Sequence, residues 1–496
     1  MNEYFWLPFL IPFTSLVSSV PIFFLNEESH RLRSFFNVAS ASTKILLVLI
    51  LLKGAYLGDI YEFSYPLFMN YNILLSSTAL SLFFVSLSVL LWLFTTFYAI
   101  GYLEGSRNRS RFFGFFGLCI TATTGIALAG NLFTMLIFYE FLTITTYPLV
   151  VHWGNRNSIK AGRVYLIYTI LSGALLFFSM VWLSSITGPS HFAERGILSE
   201  IDQMYYPQLF VIFILFVIGF GVKSAIVPFH GWLPKAMVAP APVSALLHAV
   251  AVVNAGAFGI IRLVYDIYGV EFCREFGLTW GLVIISSITI LYGSIRALFQ
   301  DDLKLRLAYS TISQISYILL GVAILNPVSA VGGIVQLFHQ GIMKITLFLC
   351  AGILAHGCKI TRVSQMNGIG LIMPWTMVAF TIGAFGMIGI APTAGFITKW
   401  YLANGAVSAG ELWIVLILVI STLLSAAYFF PILYAAWFKR PDTRTPVFAN
   451  DWPNIRKKLI FPPVALAGVT LLMGLFAKLP FSPLSWAKFI VFLEYG

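Results

Sequence analysis

Apolar runs recur along the whole chain and limit the folds that it can adopt. Each run holds about 20 residues, the number that a helix needs to cross the hydrocarbon core of a bilayer. They lie near 4–25, 35–57, 73–101, 112–128, 132–151, 163–185, 207–229, 238–262, 278–299, 306–325, 330–355, 371–402, 411–438 and 459–478. Only 10% of the 496 residues are charged and 59% are hydrophobic, which is too little polar surface for a water-soluble fold of this length. The sequence therefore predicts an all-α polytopic membrane protein with about 14 transmembrane helices.

The loops between these runs alternate in charge. One set of alternate loops holds most of the basic residues, among them Arg31, Arg33, Arg107, Arg109, Arg111, Arg156, Lys160, Arg163, Lys439, Arg440 and Arg444. Because cytoplasmic loops of membrane proteins are enriched in lysine and arginine, we place this set in the cytoplasm and both termini outside. The net charge of +11 therefore reflects topology, and no basic patch indicates a nucleic-acid partner.

The sequence lacks the motifs of metal, nucleotide and redox chemistry. Its four cysteines are scattered without a CxxC pair, which favours buried structural thiols, and no HExxH or nucleotide-binding motif occurs. We therefore expect no metal site, no cofactor and no catalytic site in this chain. The polar and aromatic stretch 59–72 is expected to form a short extracellular β-hairpin.

Glu140 and Lys223 are ionisable residues inside apolar runs. Glu140 lies near the middle of the fifth run, where a lone carboxylate is costly, and Lys223 lies in the seventh. Because each offsets the charge of the other, we predict a direct ion pair near mid-membrane. Pro228 breaks the helix soon after Lys223, and a lysine beside a helix break can change protonation when its partner moves. A proton relay is the favoured interpretation, with a purely structural ion pair as the alternative.

The same combination recurs in the twelfth run. Pro392 interrupts this run and Lys399 follows on its C-terminal side. Two interrupted helices with one lysine each, in different halves of the chain, are typical of transporters that contain an inverted repeat. We therefore predict that the seventh and twelfth helices are broken, near 227–228 and 390–392.

Polar residues between these two lysines are candidates for further relay groups. His248 in the eighth run and Lys344 in the eleventh are predicted relay members. Gln340 precedes Lys344 by one helical turn, so the two share a helix face. The alternatives are hydrogen-bonded structural histidines and, for Lys304, a basic anchor at the membrane surface. The additional candidates for the relay are Asn254, Lys304, His339 and Gln340.

Four segments of the sequence carry a resemblance to a known family. They are YEFLTITTYPLV, GVKSAIVPFHGWLPKAMVAPAPVSALLHA, LKLRLAYSTISQISYILLG and APTAGFITKWYL. Together they resemble the antiporter-like proton-translocating subunits, which include the D subunit of Mrp-type Na+/H+ antiporters, membrane-arm subunits of respiratory complex I and subunits of membrane-bound hydrogenases. The resemblance implies fourteen helices with two inverted five-helix repeats and broken helices seven and twelve. The relay residues that it implies are the ion pair of Glu140 and Lys223, the central His248 and Lys344, and the terminal Lys399.

The resemblance also implies a division of the chain into four parts. Residues 1–110 hold helices one to three and the hairpin, and 111–262 form the first repeat of helices four to eight. Residues 278–438 form the second repeat of helices nine to thirteen, and 439–496 hold a cytoplasmic basic loop and helix fourteen. Lys399 favours either a D-type antiporter subunit or an L- or N-like subunit of complex I, because some relatives carry glutamate at that place. The segment WLPKAMVAPAPVSALLHAVAVV resembles the D-subunit group, which is therefore the preferred assignment.

Three residues depart from the pattern of many relatives. Asn254 stands in place of a lysine, Gln340 in place of a histidine, and Lys235 in place of an aspartate. The glutamine puts a direct proton wire through the eleventh helix in question, since an amide must pass protons through water.

The leading functional hypothesis is an ion-translocating subunit of a multisubunit cation/proton antiporter in a bacterial-type cytoplasmic (inner) membrane. Its partners are then the lipid bilayer, other membrane subunits, H+ and, as an open alternative, Na+. Lys44 and Lys53 are interpreted as anchors or as contacts with a neighbouring subunit. A second hypothesis is a proton-channel energy-coupling subunit of a complex-I-like dehydrogenase, a membrane-bound hydrogenase or an inorganic-carbon uptake complex, with the redox site of any such oxidoreductase in another subunit. A third is a structural membrane scaffold.

Overall fold

The N-terminal part of the chain folds into long helices and one hairpin. The computed structural model describes residues 5–68, 71–198, 201–441 and 452–495. Its first elements are α1 Leu7–Phe24, α2 His30–Tyr56, β1 Glu62–Phe68, β2 Tyr71–Ser76, α3 Ala79–Tyr102, α4 Arg109–Leu128, α5 Leu132–Val150 and α6 Arg156–Thr187. Asn131 and Asn155 cap α5 and α6, since each side chain accepts a hydrogen bond from a backbone N–H of the first turn. The two strands pair antiparallel, so the hairpin predicted over 59–72 is confirmed.

The middle of the chain contains short helices between long ones. Its elements are α7 Tyr206–Lys223, α8 Trp232–Lys235, α9 Ala241–Ala249, α10 Val252–Arg262, α11 Val270–Glu275, α12 Trp280–Leu298 and α13 Leu303–Ala323. Helix α7 ends at Lys223, and Pro228 lies in the segment that separates it from α8. The seventh transmembrane helix is therefore interrupted at the predicted place.

The C-terminal part contains the second interrupted helix. Its elements are α14 Pro327–Cys358, α15 Ile369–Ile372, α16 Pro374–Ile388, α17 Ala394–Ser408, α18 Leu412–Phe438, α19 Trp452–Leu475 and α20 Pro483–Tyr495. Pro392 lies between α16 and α17, where its missing N–H cannot continue the helical hydrogen-bond ladder. The twelfth predicted helix is thus two shorter helices in the structure.

The helices agree with the predicted membrane spans. Twelve helical segments in the described part are long and apolar enough to cross a membrane, and one of them is the stretch Ala241–Tyr268 that contains α9 and α10. They coincide with the predicted spans except the tenth and twelfth. The tenth is α13, whose serines, glutamine and basic residues lower its hydropathy, and the twelfth is the pair α16 and α17. Arg444, from the predicted basic loop, lies outside the described residues.

The exposed surface of the helices is apolar and the centre of the molecule is closely packed. On α6, Ile167, Leu171 and Phe178 are exposed, as expected of a helix that faces lipid. Every residue from Ala241 to Tyr268 is buried, so α9 and α10 lie in the interior. The four cysteines are also buried, and none forms a disulfide.

Helix α20 was not predicted from the sequence. It packs against α3 and α14, and the Trp486 Nε1–H donates to the Ala79 carbonyl at 2.9 Å. The Glu494 carboxylate accepts a hydrogen bond from the Arg195 N–H at 3.1 Å. Its 13 residues are too few to span a bilayer, so a search for apolar runs passes over it.

Candidate ion-translocation site

Lys223 lies at the C-terminal end of α7, where it is fully buried. Its amino group donates to the Tyr139 carbonyl at 2.6 Å and lies 3.4 Å from the centroid of the Tyr139 ring. A cation at this position is favoured by the partial negative charge of the helix end and by the face of the aromatic ring. Lys223 therefore contacts α5 from the end of α7 that precedes the break.

Glu140 does not form the predicted direct ion pair with Lys223, and that prediction is wrong for the described structure. No salt bridge joins the two side chains among the described residues. Successive residues of a helix point about 100° apart, so Tyr139 faces α7 whereas Glu140 faces α6. There the carboxylate lies so close to Gly173 that a methyl group at that glycine would overlap it. Lys223 and Glu140 are neighbours through Tyr139.

The carboxylate of Glu140 lies near the outer surface of the chain. Ile137 and Ile144, one turn away on either side of Glu140, are 39% and 64% exposed. The Glu140 Oε1 atom is buried and has no hydrogen-bond partner. A carboxylate next to an apolar surface needs cover from another protein chain or a proton, because lipid cannot solvate it.

The contact between Gly173 and Glu140 leads to a first prediction. We expect Gly173→Ala to displace the carboxylate, lower ion translocation and destabilise the protein by about 1–3 kcal/mol through overpacking. Translocation is measured in membrane vesicles and stability by thermal unfolding in detergent. Gly281→Ala is the control, because nothing lies near its added methyl group. Equal behaviour of the two variants would contradict the prediction.

His248 lies at the centre of the chain beside a helix break that the sequence analysis missed. Helix α9 ends at Ala249 and α10 begins at Val252. Both ring nitrogens of His248 are buried without a partner, and the ring stacks on Phe348 with centroids 4.5 Å apart. Asn254 donates to the Ala249 carbonyl at 2.8 Å and so satisfies the end of α9.

Lys344 and Gln340 connect α14 to two different neighbours. The Lys344 amino group donates to the Ser310 hydroxyl at 2.7 Å and to the Leu307 carbonyl at 3.3 Å. The Gln340 amide donates to the His248 carbonyl at 3.0 Å, and its Oε1 atom has no partner. Gln340 therefore contacts the backbone of His248, while Lys344 faces α13.

A hydroxyl network extends from Lys344 to α18. The Ser310 hydroxyl is 2.8 Å from the Tyr428 hydroxyl, which is 3.2 Å from that of Ser425. Tyr428 was not among the residues predicted from the sequence. Ser421, Ser425 and Tyr428 recur at the spacing of one helix face within an apolar run, and this pattern would have indicated a polar stripe.

Lys304 binds backbone carbonyls, although two acidic residues precede it in the sequence. Its amino group donates to the Met237 and Ala239 carbonyls at 3.0 and 2.8 Å, in the segment before α9. Asp302 instead caps α13, and Asp301 binds Ser364. Lys304 therefore joins α13 to the segment that leads to His248.

Lys399 lies beside the break between α16 and α17 and is partly buried. Its amino group donates to the Ile388 carbonyl at 2.6 Å and to the Thr422 hydroxyl at 3.0 Å. Ile388 is the last residue of α16, so the lysine satisfies a carbonyl that the break leaves free. His339 lies close by, with its Nδ1 atom 3.0 Å from the Thr398 hydroxyl.

Lys44 lies in the interior, so its interpretation as an anchor or subunit contact is wrong. It is fully buried, donates to the Thr124 hydroxyl at 3.3 Å and lies 5.2 Å from the centroid of a Trp92 ring. Lys53, in contrast, is exposed. Helical spacing puts Lys44 on the face of α2 that packs against α4, which an apolar run alone does not reveal.

The fold and the site together define a class of protein: a polytopic membrane protein whose interior carries ionisable side chains beside broken helices. Residues 129–425 match the family model described as NADH:quinone oxidoreductase/Mrp antiporter, TM. The chain belongs to this family, and the resemblance read from its motifs is confirmed.

Relatives and solved structures agree with that assignment. The chain is 28% identical over 483 residues to the D subunit of the Na(+)/H(+) antiporter of Bacillus subtilis, covering 96% of this chain and 94% of that protein. It is 35% identical over 348 residues to the N subunit of the NADH-quinone oxidoreductase of Desulforudis audaxviator, covering 69% and 68%. The fold matches a chain of the Mrp complex from Dietzia sp. with a TM-score of 0.87 at 23% identity, covering 100% of this chain and 98% of that one. A chain of the membrane-bound sulfane sulfur reductase, an archaeal respiratory complex, matches with a TM-score of 0.86 at 20% identity, covering 98% and 97%.

Proposed function

We propose that this chain is an ion-translocating subunit of a multisubunit cation/proton antiporter, of the D type found in Mrp complexes. One observation carries the proposal: Lys223, Lys344 and Lys399 bind only carbonyl and hydroxyl oxygens or aromatic rings, and none forms a salt bridge among the described residues. A lysine that contacts no carboxylate is costly in its charged form inside a membrane. Each of these lysines can therefore release and rebind a proton.

The proposed path runs through Glu140, Lys223, His248, Lys344 and Lys399. Buried polar groups in proteins almost always have a hydrogen-bond partner, and in a polar cavity that partner is often water. Unpartnered buried atoms occur along this path, which supports transfer through water between the ionisable groups. They are Glu140 Oε1, His248 Nδ1 and Nε2, Asn254 Oδ1, Gln314 Nε2, Tyr317 OH, His339 Nε2 and Gln340 Oε1.

The departures at Asn254 and Gln340 shape the middle of this path. Asn254 holds the end of α9 and Gln340 holds the backbone of His248, so both position the histidine. Neither amide gains or loses a proton at neutral pH, and we propose that His248 and Lys344 exchange protons through water beside them. We propose His339 as an auxiliary group near the break between α16 and α17. Lys304 is proposed as an auxiliary group next to the segment before α9.

We also propose how the chain is divided and oriented. Residues 111–262 and 278–438 are the two inverted repeats, each with one interrupted helix that carries a lysine next to its break. Residues 1–110 and 439–496 flank them. The basic loops face the cytoplasm of a bacterial-type cell and both termini face outside, as the charge asymmetry supports.

The surroundings of Glu140 support the proposal that a partner subunit contacts the α5 surface. Its carboxylate lies beside exposed isoleucines and lacks a hydrogen-bond partner for one oxygen. A neighbouring membrane subunit that covers this face would supply the polar contact that lipid cannot.

A second candidate function is energy coupling in a redox-driven complex. The identity to a protein named as the N subunit of an NADH-quinone oxidoreductase favours it, because the same buried lysines would serve a proton channel that is driven by another subunit. In that case translocation does not depend on an exchanged cation.

Everted membrane vesicles that contain the complete complex distinguish the two functions. A respiratory substrate generates the pH gradient, which a pH-sensitive dye reports, and NaCl, KCl or choline chloride is then added. An antiporter dissipates the gradient on addition of Na+ or K+ but not choline. Absence of any cation response, together with a gradient whose formation requires this chain, would overturn the antiporter proposal in favour of redox-driven pumping.

A further inference from the structure

A cavity with basic walls lies where the ends of four helices meet. It measures about 580 Å³ and opens between α2, α3, α4 and α19. Its cationic lining residues are Arg31, Arg33, Arg109 and Lys458. These residues belong to the loops and helix ends of the basic set, remote in sequence from every proposed relay residue. The cavity is therefore separate from the proposed ion path.

Two of the arginines are held in fixed positions. Arg33 donates to the Ser110 hydroxyl at 2.6 Å and to the Glu27 carbonyl at 2.9 Å. Arg109 donates to the same carbonyl at 2.9 Å, and another of its nitrogens lies 2.7 Å from His30 Nδ1. Guanidinium groups that are held in place lose little side-chain entropy when they bind an anion.

Positive charge exceeds negative charge around the cavity. Glu27 accepts hydrogen bonds from the backbone amides of Arg109 and Ser110. Burial acts against its ionisation, but these amides and the nearby guanidinium groups hold the pKa of the Glu27 carboxyl below its usual value. Glu104 lies 3.6 Å from Lys458 in a half-exposed pair that water screens. The lining thus holds four cations and one carboxylate, and Glu27 lies beside it in a 3.5 Å ion pair with Arg109.

Arg31 is the free cation of this group. It is exposed at the rim of the cavity, and it has no hydrogen-bond or salt-bridge partner among the described residues. Its guanidinium can meet a ligand without breaking an existing contact.

The remainder of the cavity is apolar and continues onto the lipid-facing surface. Phe35, Val38 and Ala39 of α2 line it together with Ile100 and Phe113. Phe35 is 65% exposed, and Leu46 further along the same helix is 62% exposed. A ligand with a negatively charged headgroup and hydrocarbon chains matches a basic cavity that continues into an apolar surface.

We propose that the cavity binds the phosphate headgroup of an anionic phospholipid, with its acyl chains along Phe35 and the outer surface of α2. Basic pockets between transmembrane helices on the cytoplasmic side bind such headgroups. The site rests on the proposed orientation of the chain, which places these helix ends in the cytoplasmic leaflet. It would fix α2 against α4 and α19 at that surface.

The test uses lipid binding rather than transport, so that it is independent of the relay. The purified complex is delipidated in detergent, incubated with phosphatidylglycerol or phosphatidylcholine, and analysed by native mass spectrometry. We expect retention of phosphatidylglycerol but not phosphatidylcholine, and a loss of about tenfold or more in the variant Arg31→Gln/Lys458→Gln. Neither substitution removes a contact that holds α2 to α4.

The control is Arg156→Gln/Arg163→Gln, which removes two exposed cations of the same charge set at the start of α6. Retention of phosphatidylglycerol by this control is expected. Equal retention in both double variants, or equal binding of the two lipids, would overturn the proposal. Failure of the wild-type complex to bind either lipid would also overturn it and would indicate an acidic segment of a partner subunit instead.

Discussion

Replacement of Lys399 by alanine is expected to abolish cation-dependent proton movement while the complex still assembles. The lysine ends the proposed path, and its amino group is held by the last carbonyl of α16 and by Thr422. Without it the proposed path loses its terminal proton carrier, and loss of an acid–base group typically lowers a rate by about 10²-fold or more. The carbonyl of Ile388 loses a partner, which costs about 1–3 kcal/mol and is too little to unfold a protein of this size.

Everted vesicles with a pH-sensitive dye measure the loss, and detection of the complex after gentle solubilisation measures assembly. Lys488→Ala is the matched control, because Lys488 is an exposed lysine on α20. An undiminished cation-dependent pH change in Lys399→Ala would refute the relay. Failure of the variant complex to assemble would favour the hypothesis of a membrane scaffold.

Glu140→Gln is expected to cause a loss of similar size. The amide keeps the shape of the carboxyl group against Gly173 and removes only the charge that can take up a proton. Folding should be unchanged, because Glu140 has no salt bridge among the described residues that the substitution would break. Translocation is measured as for Lys399→Ala, with the yield of folded complex as the internal reference.

Glu104→Gln is the control for this charge, because Glu104 is a half-exposed carboxylate at the membrane surface. Gly173→Ala adds a second comparison, since it moves the carboxylate but keeps its charge. If Glu140→Gln retains full translocation and Gly173→Ala does not, the effect at this position is steric and Glu140 carries no proton.

Much of the fold could be predicted because the bilayer imposes simple rules on a sequence. Hydrocarbon requires about 20 apolar residues for each helix, and twelve predicted spans appear as such helices in the described part. Pro228 and Pro392 lack the N–H that continues a helix, so both interruptions could be located from the sequence alone. Alternating polar and aromatic residues likewise predicted the hairpin of β1 and β2. These features depend on residues that are close together in the chain.

The contacts of the ionisable residues depend on how distant helices pack, and here the sequence was a poor guide. Charge complementarity predicted that Glu140 and Lys223 pair directly, but the packing of the helices presents Tyr139 to the lysine. The break between α9 and α10 could not be located from the sequence, because the run is apolar and no proline occurs at that place. Asn254 satisfies the carbonyl at the end of α9.

The partner of each lysine was decided by the same tertiary packing. Lys304 binds carbonyls more than 60 positions away in the chain, although two aspartates precede it. Lys44 is buried because its face of α2 packs onto α4, whereas Lys53 on the same helix is exposed. Apolar runs and prolines determine where helices cross and where they break, since these effects act within one helix. Which oxygen atom accepts a hydrogen bond from a buried lysine is determined only when helices from distant parts of the chain meet.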